Sequence, residues 1–133
     1  DLSDFETKLV SSILKHSDVM LNMFSTMVIE AAIFDLPAIN VCIRELCKAD
    51  FSRSRQDVML DYVAIHNQRV IQSGGVKTAF DLENLYEFIN KYLENPTLDA
   101  YGRKKIVQNE AGPFRGNAGK MIGQHILNLV EHK

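Results

Sequence analysis

The stretch from His16 to Ile43 constrains the fold more than any other. A short apolar run, Val19-Met20-Leu21, leads into Ser25-Thr26, an apolar helical run follows through Val28, Ile29, Ala31, Ala32 and Ile33, and Asp35-Leu36-Pro37 stops it. From Ala38 to Ile43 the β-branched Ile39, Val41 and Ile43 then read as a second buried strand. Two strands joined by a helix pair in parallel, with a right-handed crossover. The segment therefore predicts an α/β layered fold.

The rest of the chain extends this pattern. Leu2, Phe5, Leu9 and Ile13 recur at helical spacing behind the S-x-x-E cap of Ser3 and Glu6, which predicts an amphipathic helix over 4–16 ending at His16-Ser17-Asp18. Residues 44–61 mix Arg44, Lys48, Arg53 and Arg55 with Glu45, Asp50 and Asp57 and read as an irregular loop. The chain turns at Gly74-Gly75, and Val76 to Phe80 forms a third short strand. Asp81 caps a helix carrying Leu82, Leu85, Ile89 and Leu93, closed by Asn95-Pro96. Another helix runs from Leu98 to Asn109, Gly112-Pro113 turns, and Asn117 opens a last helix with Ala118, Met121, Ile122, His125, Ile126 and Leu129 on one face. The expectation is a partial doubly wound, Rossmann-like parallel sheet of about three strands with flanking helices and a helical C-terminus. A sheet so small leaves an unpaired edge, which invites self-association.

Composition narrows the function classes. The chain has 133 residues, 46% of them apolar, enough for one domain with a core. Its 15 basic and 17 acidic residues give a net charge of −2, so no global field draws it to nucleic acid. Cys42 and Cys47 are too few for a disulfide scaffold or a zinc site and read as reduced thiols of a cytoplasmic protein. No apolar run reaches the roughly 20 residues that cross a bilayer. Asp1 in place of Met reads as a domain cut from a longer protein.

Chemistry concentrates at the turn before the second predicted helix. It follows a strand's carboxyl end, where open α/β sheets bind ligands and helix N–H groups favour anions. Ser25 and Thr26 add hydroxyls, and Glu30 lies four residues after Thr26, about 5.4 Å along one helix face. A phosphate on this turn would bring a ribose to the Glu30 carboxylate. The alternative is an ordinary capped helix with Glu30 near its positive end.

Ser25-Thr26-Met27-Val28-Ile29-Glu30-Ala31 with Asp35-Leu36-Pro37 resembles the S-T-x-x-x-E-A and G/D-x-P elements of the donor-binding domain of GT-B glycosyltransferases. His66-Asn67-Gln68-Arg69-Val70-Ile71-Gln72-Ser73-Gly74-Gly75-Val76 is similar to the H-x-x-x-V-x-x-S-G-G-V element of prokaryotic surface-carbohydrate glycosyltransferases. Gly102-Arg103-Lys104-Lys105-Ile106-Val107, Gly112-Pro113 and Gly116-Asn117-Ala118 resemble their closing helices. The likeness implies that Ser25 and Thr26 contact the diphosphate of a nucleotide-sugar donor, a uridine diphosphate sugar or similar, and Glu30 its ribose. Met23-Phe24 stand where many relatives have glycine, so the diphosphate passes bulkier side chains. The family's acceptor-binding domain lies upstream, with the base for the acceptor hydroxyl; this chain alone is then expected to have no transferase activity. The parent would work in the cytoplasm or at the inner membrane surface. Nucleotide-sugar 2-epimerases and glycerophosphotransferases share the donor pocket and stay open as alternatives, as does a non-catalytic flavodoxin-like module.

Several residues carry two readings. His66 would hydrogen-bond a donor phosphate or sugar, with Arg69 adding positive charge, or it is structural. Gly74-Gly75 let backbone approach a ligand or make a tight turn. Arg53 and Arg55 read as solvated. Met20, Met23, Met27 and Met59 read as core or pocket filler, with no metal site expected. His125 reads as a satisfied structural histidine.

Overall fold

A computed structural model of the chain describes residues 3–44, 46 and 57–131. Leu2, Cys47, Arg53 and Arg55 lie outside the described residues. Helix α1 spans Asp4–His16 and opens with the capping box its sequence announces. The Glu6 amide donates to Ser3 Oγ at 3.2 Å, and the Ser3 amide donates to the Glu6 carboxylate at 2.7 Å. Its buried face differs from the expected stripe. Phe5, Leu9 and Ile13 are exposed, whereas Leu14 is buried and Val10 packs beside it against Ala31 and Leu36. The helix meets the body along a narrow line, which an i, i+4 pair fills.

Strands β1 (Met20–Asn22), β2 (Ala38–Val41) and β3 (Val76–Ala79) form one parallel sheet in the order β1-β2-β3. Helix α2 (Met27–Ile33) crosses from β1 to β2, and helices α3 (Val58–Val63) and α4 (Ile65–Gln72) lead to β3. Right-handed crossovers stepping in one direction place their helices on one side of a sheet. Accordingly Val28 and Ala32 of α2 and Val70 of α4 share a core with Ala38 and Val76. Helix α5 (Leu82–Glu94), capped by Asp81 through the Asn84 amide at 2.7 Å, covers the other face. There Leu85 and Tyr92 pack with Ile39, Ile43 and Ala79, while the expected Leu82 and Leu93 are exposed.

The predicted loop over 44–61 is corrected at its end, because α3 begins at Val58. Asp57 caps it, its carboxylate accepting the Met59 amide at 3.0 Å and pairing with Arg44 at 2.9 Å. The Met59 N–H, and then the Arg44 guanidinium, hold the Asp57 carboxyl below its ordinary value.

Helix α6 (Ala100–Ile106) follows Asp99, whose φ is +62°, and continues into a π-helical turn at Val107–Ala111. The expected single helix over 98–109 thus starts two residues later and ends in a wider, under-wound π turn that reaches Ala111. Gly75 and Gly102 fix its position. A Cβ on Gly75 would lie 2.7 Å from Gly102 O, and one on Gly102 would overlap the backbone of Gly74 and Gly75. Arg103, 1% exposed, holds the same helix down by bonding Asp35 Oδ1 at 2.7 Å, the Leu98 carbonyl at 2.6 Å and the Pro96 carbonyl at 2.8 Å. Tyr92 donates its hydroxyl to Asp99 at 3.0 Å, and Lys77 pairs with Asp99 at 3.0 Å. Burial first, then the Asp99 charge, pushes the Tyr92 phenol above its ordinary value.

Helix α7 (Ala118–Glu131) is exposed along its length from Ala118 to Val130, apolar stripe included. His125 is therefore not buried: it stands on the exposed helix.

Candidate functional site

Strand β1 ends at Asn22, and the chain turns through Met23 to Thr26 at the carboxyl edge of the sheet. Asn22 Oδ1 accepts the Ser25 amide at 3.0 Å, and Ser25 Oγ accepts the Met27 amide at 3.2 Å. Phe24 closes the turn with φ +57°, the left-handed region where a bulky side chain is strained and glycine is at ease.

Thr26 is the N-cap residue of α2, yet its side chain makes no capping bond. Ser25, Thr26 and Glu30 are all exposed. Hydroxyl and carboxylate therefore face solvent one helical turn apart. The start of α2 offers fewer unused amides than its sequence suggests. The Val28 and Ile29 amides bond the Ser25 and Thr26 carbonyls at 3.2 and 2.9 Å, and the Met27 amide is held by Ser25 Oγ. An anion here would meet hydroxyls more than helix-end N–H groups.

The other expected site residues are spread out. His66 is exposed in the first turn of α4. Arg69 pairs with Glu110 at 2.9 Å and, with Gln72, Ser73, Lys105, Asn109 and Glu110, lines an open hollow of about 440 Å³. Its charge is thus answered by Glu110. Gly74, with φ +76°, and Gly75 precede β3 at the amino edge, opposite the Ser25 turn. Gly75 is occupied by its approach to Gly102, which accounts for its missing side chain. Asp18 lies before β1, also at the amino edge, away from the carboxyl edge where open α/β sheets bind ligands.

The sequence reading missed one feature of the carboxyl edge. Asn22 pairs in register with Asn40, and Asn40 with Thr78, so three polar side chains stand in one row across all three strands. By the two-residue period of strands they share the face of Met20, Ala38 and Val76, where α2 packs. Asn22 Nδ2, Asn40 Oδ1 and Thr78 Oγ1 are each buried without a hydrogen-bond partner. Such atoms are uncommon in folded proteins and each costs about 1–3 kcal/mol. Beyond the row, Phe24, Tyr62 of α3 and Phe80 form an aromatic chain with edge-on contacts at 6.2 and 5.1 Å. Met59 of the same helix lies 3.6 Å from Cys42, sulfur to sulfur. Among the described residues no group of His, Cys, Asp and Glu has the geometry to hold a metal ion.

No family model, no curated protein and no solved structure matches this chain. The fold itself defines the class: a three-stranded parallel α/β sheet of Rossmann-like form with helices on both faces. No described helix is long and apolar enough to cross a membrane.

Proposed function

We propose that this chain is the nucleotide-sugar-binding part of a glycosyltransferase that builds surface carbohydrate. The donor diphosphate rests on the hydroxyls of Ser25 and Thr26, and the ribose hydroxyls on Glu30. One observation carries the reading: at the carboxyl edge of a parallel sheet, an exposed Thr26 whose hydroxyl makes no capping bond stands one turn from an exposed Glu30. The left-handed Phe24 supports it, because it reproduces the backbone of a glycine turn. Catalysis in such a half is positioning and stabilisation of the leaving diphosphate, with the base for the acceptor hydroxyl supplied by an upstream acceptor domain. The exposed apolar stripe of α7, with Ile122, Ile126 and Leu129, is surface that another domain would cover.

Titration calorimetry with uridine diphosphate tests this reading. The chain is expected to bind the nucleotide, and Glu30→Ala to weaken binding about tenfold or more, as loss of a charge-assisted hydrogen bond does. Circular dichroism of the variant should be unchanged, since Glu30 is exposed. Absence of binding by the wild-type chain, or equal affinity in Glu30→Ala, removes the reading.

A further inference from the structure

We propose that the row Asn22, Asn40 and Thr78, with the aromatic chain beside it, is a subsite for the sugar of the donor. The row itself identifies a neutral ligand. Asn22 Oδ1 is taken by the Ser25 amide, so its Nδ2 is left as a donor; Asn40 offers an acceptor; the Thr78 hydroxyl does both. An anion would oppose Asn40 Oδ1, and a cation would oppose Asn22 Nδ2. Hydroxyl groups donate and accept, and so satisfy all three positions. Adjacent strands stand about 4.8 Å apart, close to the separation of hydroxyls across a sugar ring. The apolar C–H face of such a ring suits the neighbouring Phe24, Tyr62 and Phe80.

The choice of a sugar over a nucleobase rests on the function proposed above. The row adjoins the Ser25-Thr26 turn through the hydrogen bond from the Ser25 amide to Asn22 Oδ1, and Glu30 lies one helical turn beyond that turn along α2. A nucleotide sugar is built in that order, with the sugar beyond the phosphates from the ribose. Asn40 is 2% exposed, so a ligand reaches it only through a local opening of the carboxyl edge. Phe80, 45% exposed, and the strained turn at Phe24 are the parts that yield.

The test uses the isotope-labelled chain and follows the side-chain amides of Asn22 and Asn40 by NMR during separate titrations with methyl glucoside, uridine diphosphate and uridine diphosphate glucose. Both sugar-bearing probes are expected to shift these amides saturably. Thr78→Val should abolish the Asn22 and Asn40 shifts, and Asn40→Leu should abolish the remaining Asn22 shift. Each variant is expected to melt at or above the wild-type temperature, because each removes a buried orphan, whereas a purely structural role would lower the melt. Uridine diphosphate alone should shift the Ser25 and Thr26 amides in wild type and variants alike. Sugar shifts without a nucleotide effect would sink the phosphate seat and support the sugar row. No saturable sugar shift, unchanged sugar binding in both variants, or a long-lived bound water on Asn40 that sugar does not displace would overturn the inference.

Discussion

Gly102→Ala tests the packing on which the C-terminal third depends. The added Cβ would overlap the backbone carbonyl and amide of Gly74 and Gly75, and no side-chain rotation relieves a clash between main chains. Overpacking costs typically 1–3 kcal/mol, and this geometry belongs at the upper end, about 3 kcal/mol. For 133 residues at about 2.1 cal/mol/K each, the unfolding entropy is about 0.28 kcal/mol/K, so the melting temperature should fall by about 10 °C. Thermal circular dichroism measures it, and Gly75→Ala should reproduce the loss from the other side of the contact. Gly123→Ala in α7 is the internal control, since nothing lies within 4 Å of its added carbon. Alanine there favours the helix by about 1 kcal/mol. Because α7 is exposed throughout, the gain should appear as added helicity and slower local amide exchange, with little change in the global melt. A Gly102→Ala melt within about 2 °C of wild type would refute the reasoning.

Two more outcomes follow from the polar contacts. Arg103→Met should cost about 3–5 kcal/mol in urea unfolding, because it strips the Pro96 and Leu98 carbonyls of their donor and Asp35 of its partner; a loss under about 1 kcal/mol would show the network to be dispensable. The Ser3 amide, then the Ser3 hydroxyl, lowers Glu6 from its ordinary 4.5, so its contribution is present above that value and is lost as pH falls through the lower folded value. Helix α1 should fray over that acid window, read by amide exchange at Asp4 to Thr7, and Glu6→Gln should flatten the dependence.

The βαβ order was legible because each piece carried its own punctuation. Ser3 with Glu6, Pro37 and Asp81 marked boundaries by local hydrogen bonding or by a missing donor, which neighbouring elements do not alter. Burial was less legible, since it depends on what a helix meets. Phe5, Leu9 and Ile13 make a better stripe than Val10 and Leu14, yet only the latter have Ala31 and Leu36 opposite them. Helices α3 and α4 were hidden by the charged stretch before them, although Asp57 was a readable cap. At the site, Ser25, Thr26 and Glu30 came from local spacing. The Asn22–Asn40–Thr78 row did not, because three unremarkable strand residues become a line only once the register between strands is known.

The strand order also fixes a schedule for assembly. Each strand pairs with its nearest predecessor in sequence, so the β1–β2 pair is complete when residue 41 has left the ribosome and β3 can be added by residue 79. Helix α6 arrives after all three strands, and its Arg103 reaches back 68 positions to Asp35. The sheet can therefore grow during synthesis in chain order, and the buried arginine fastens it only after all three strands are in place.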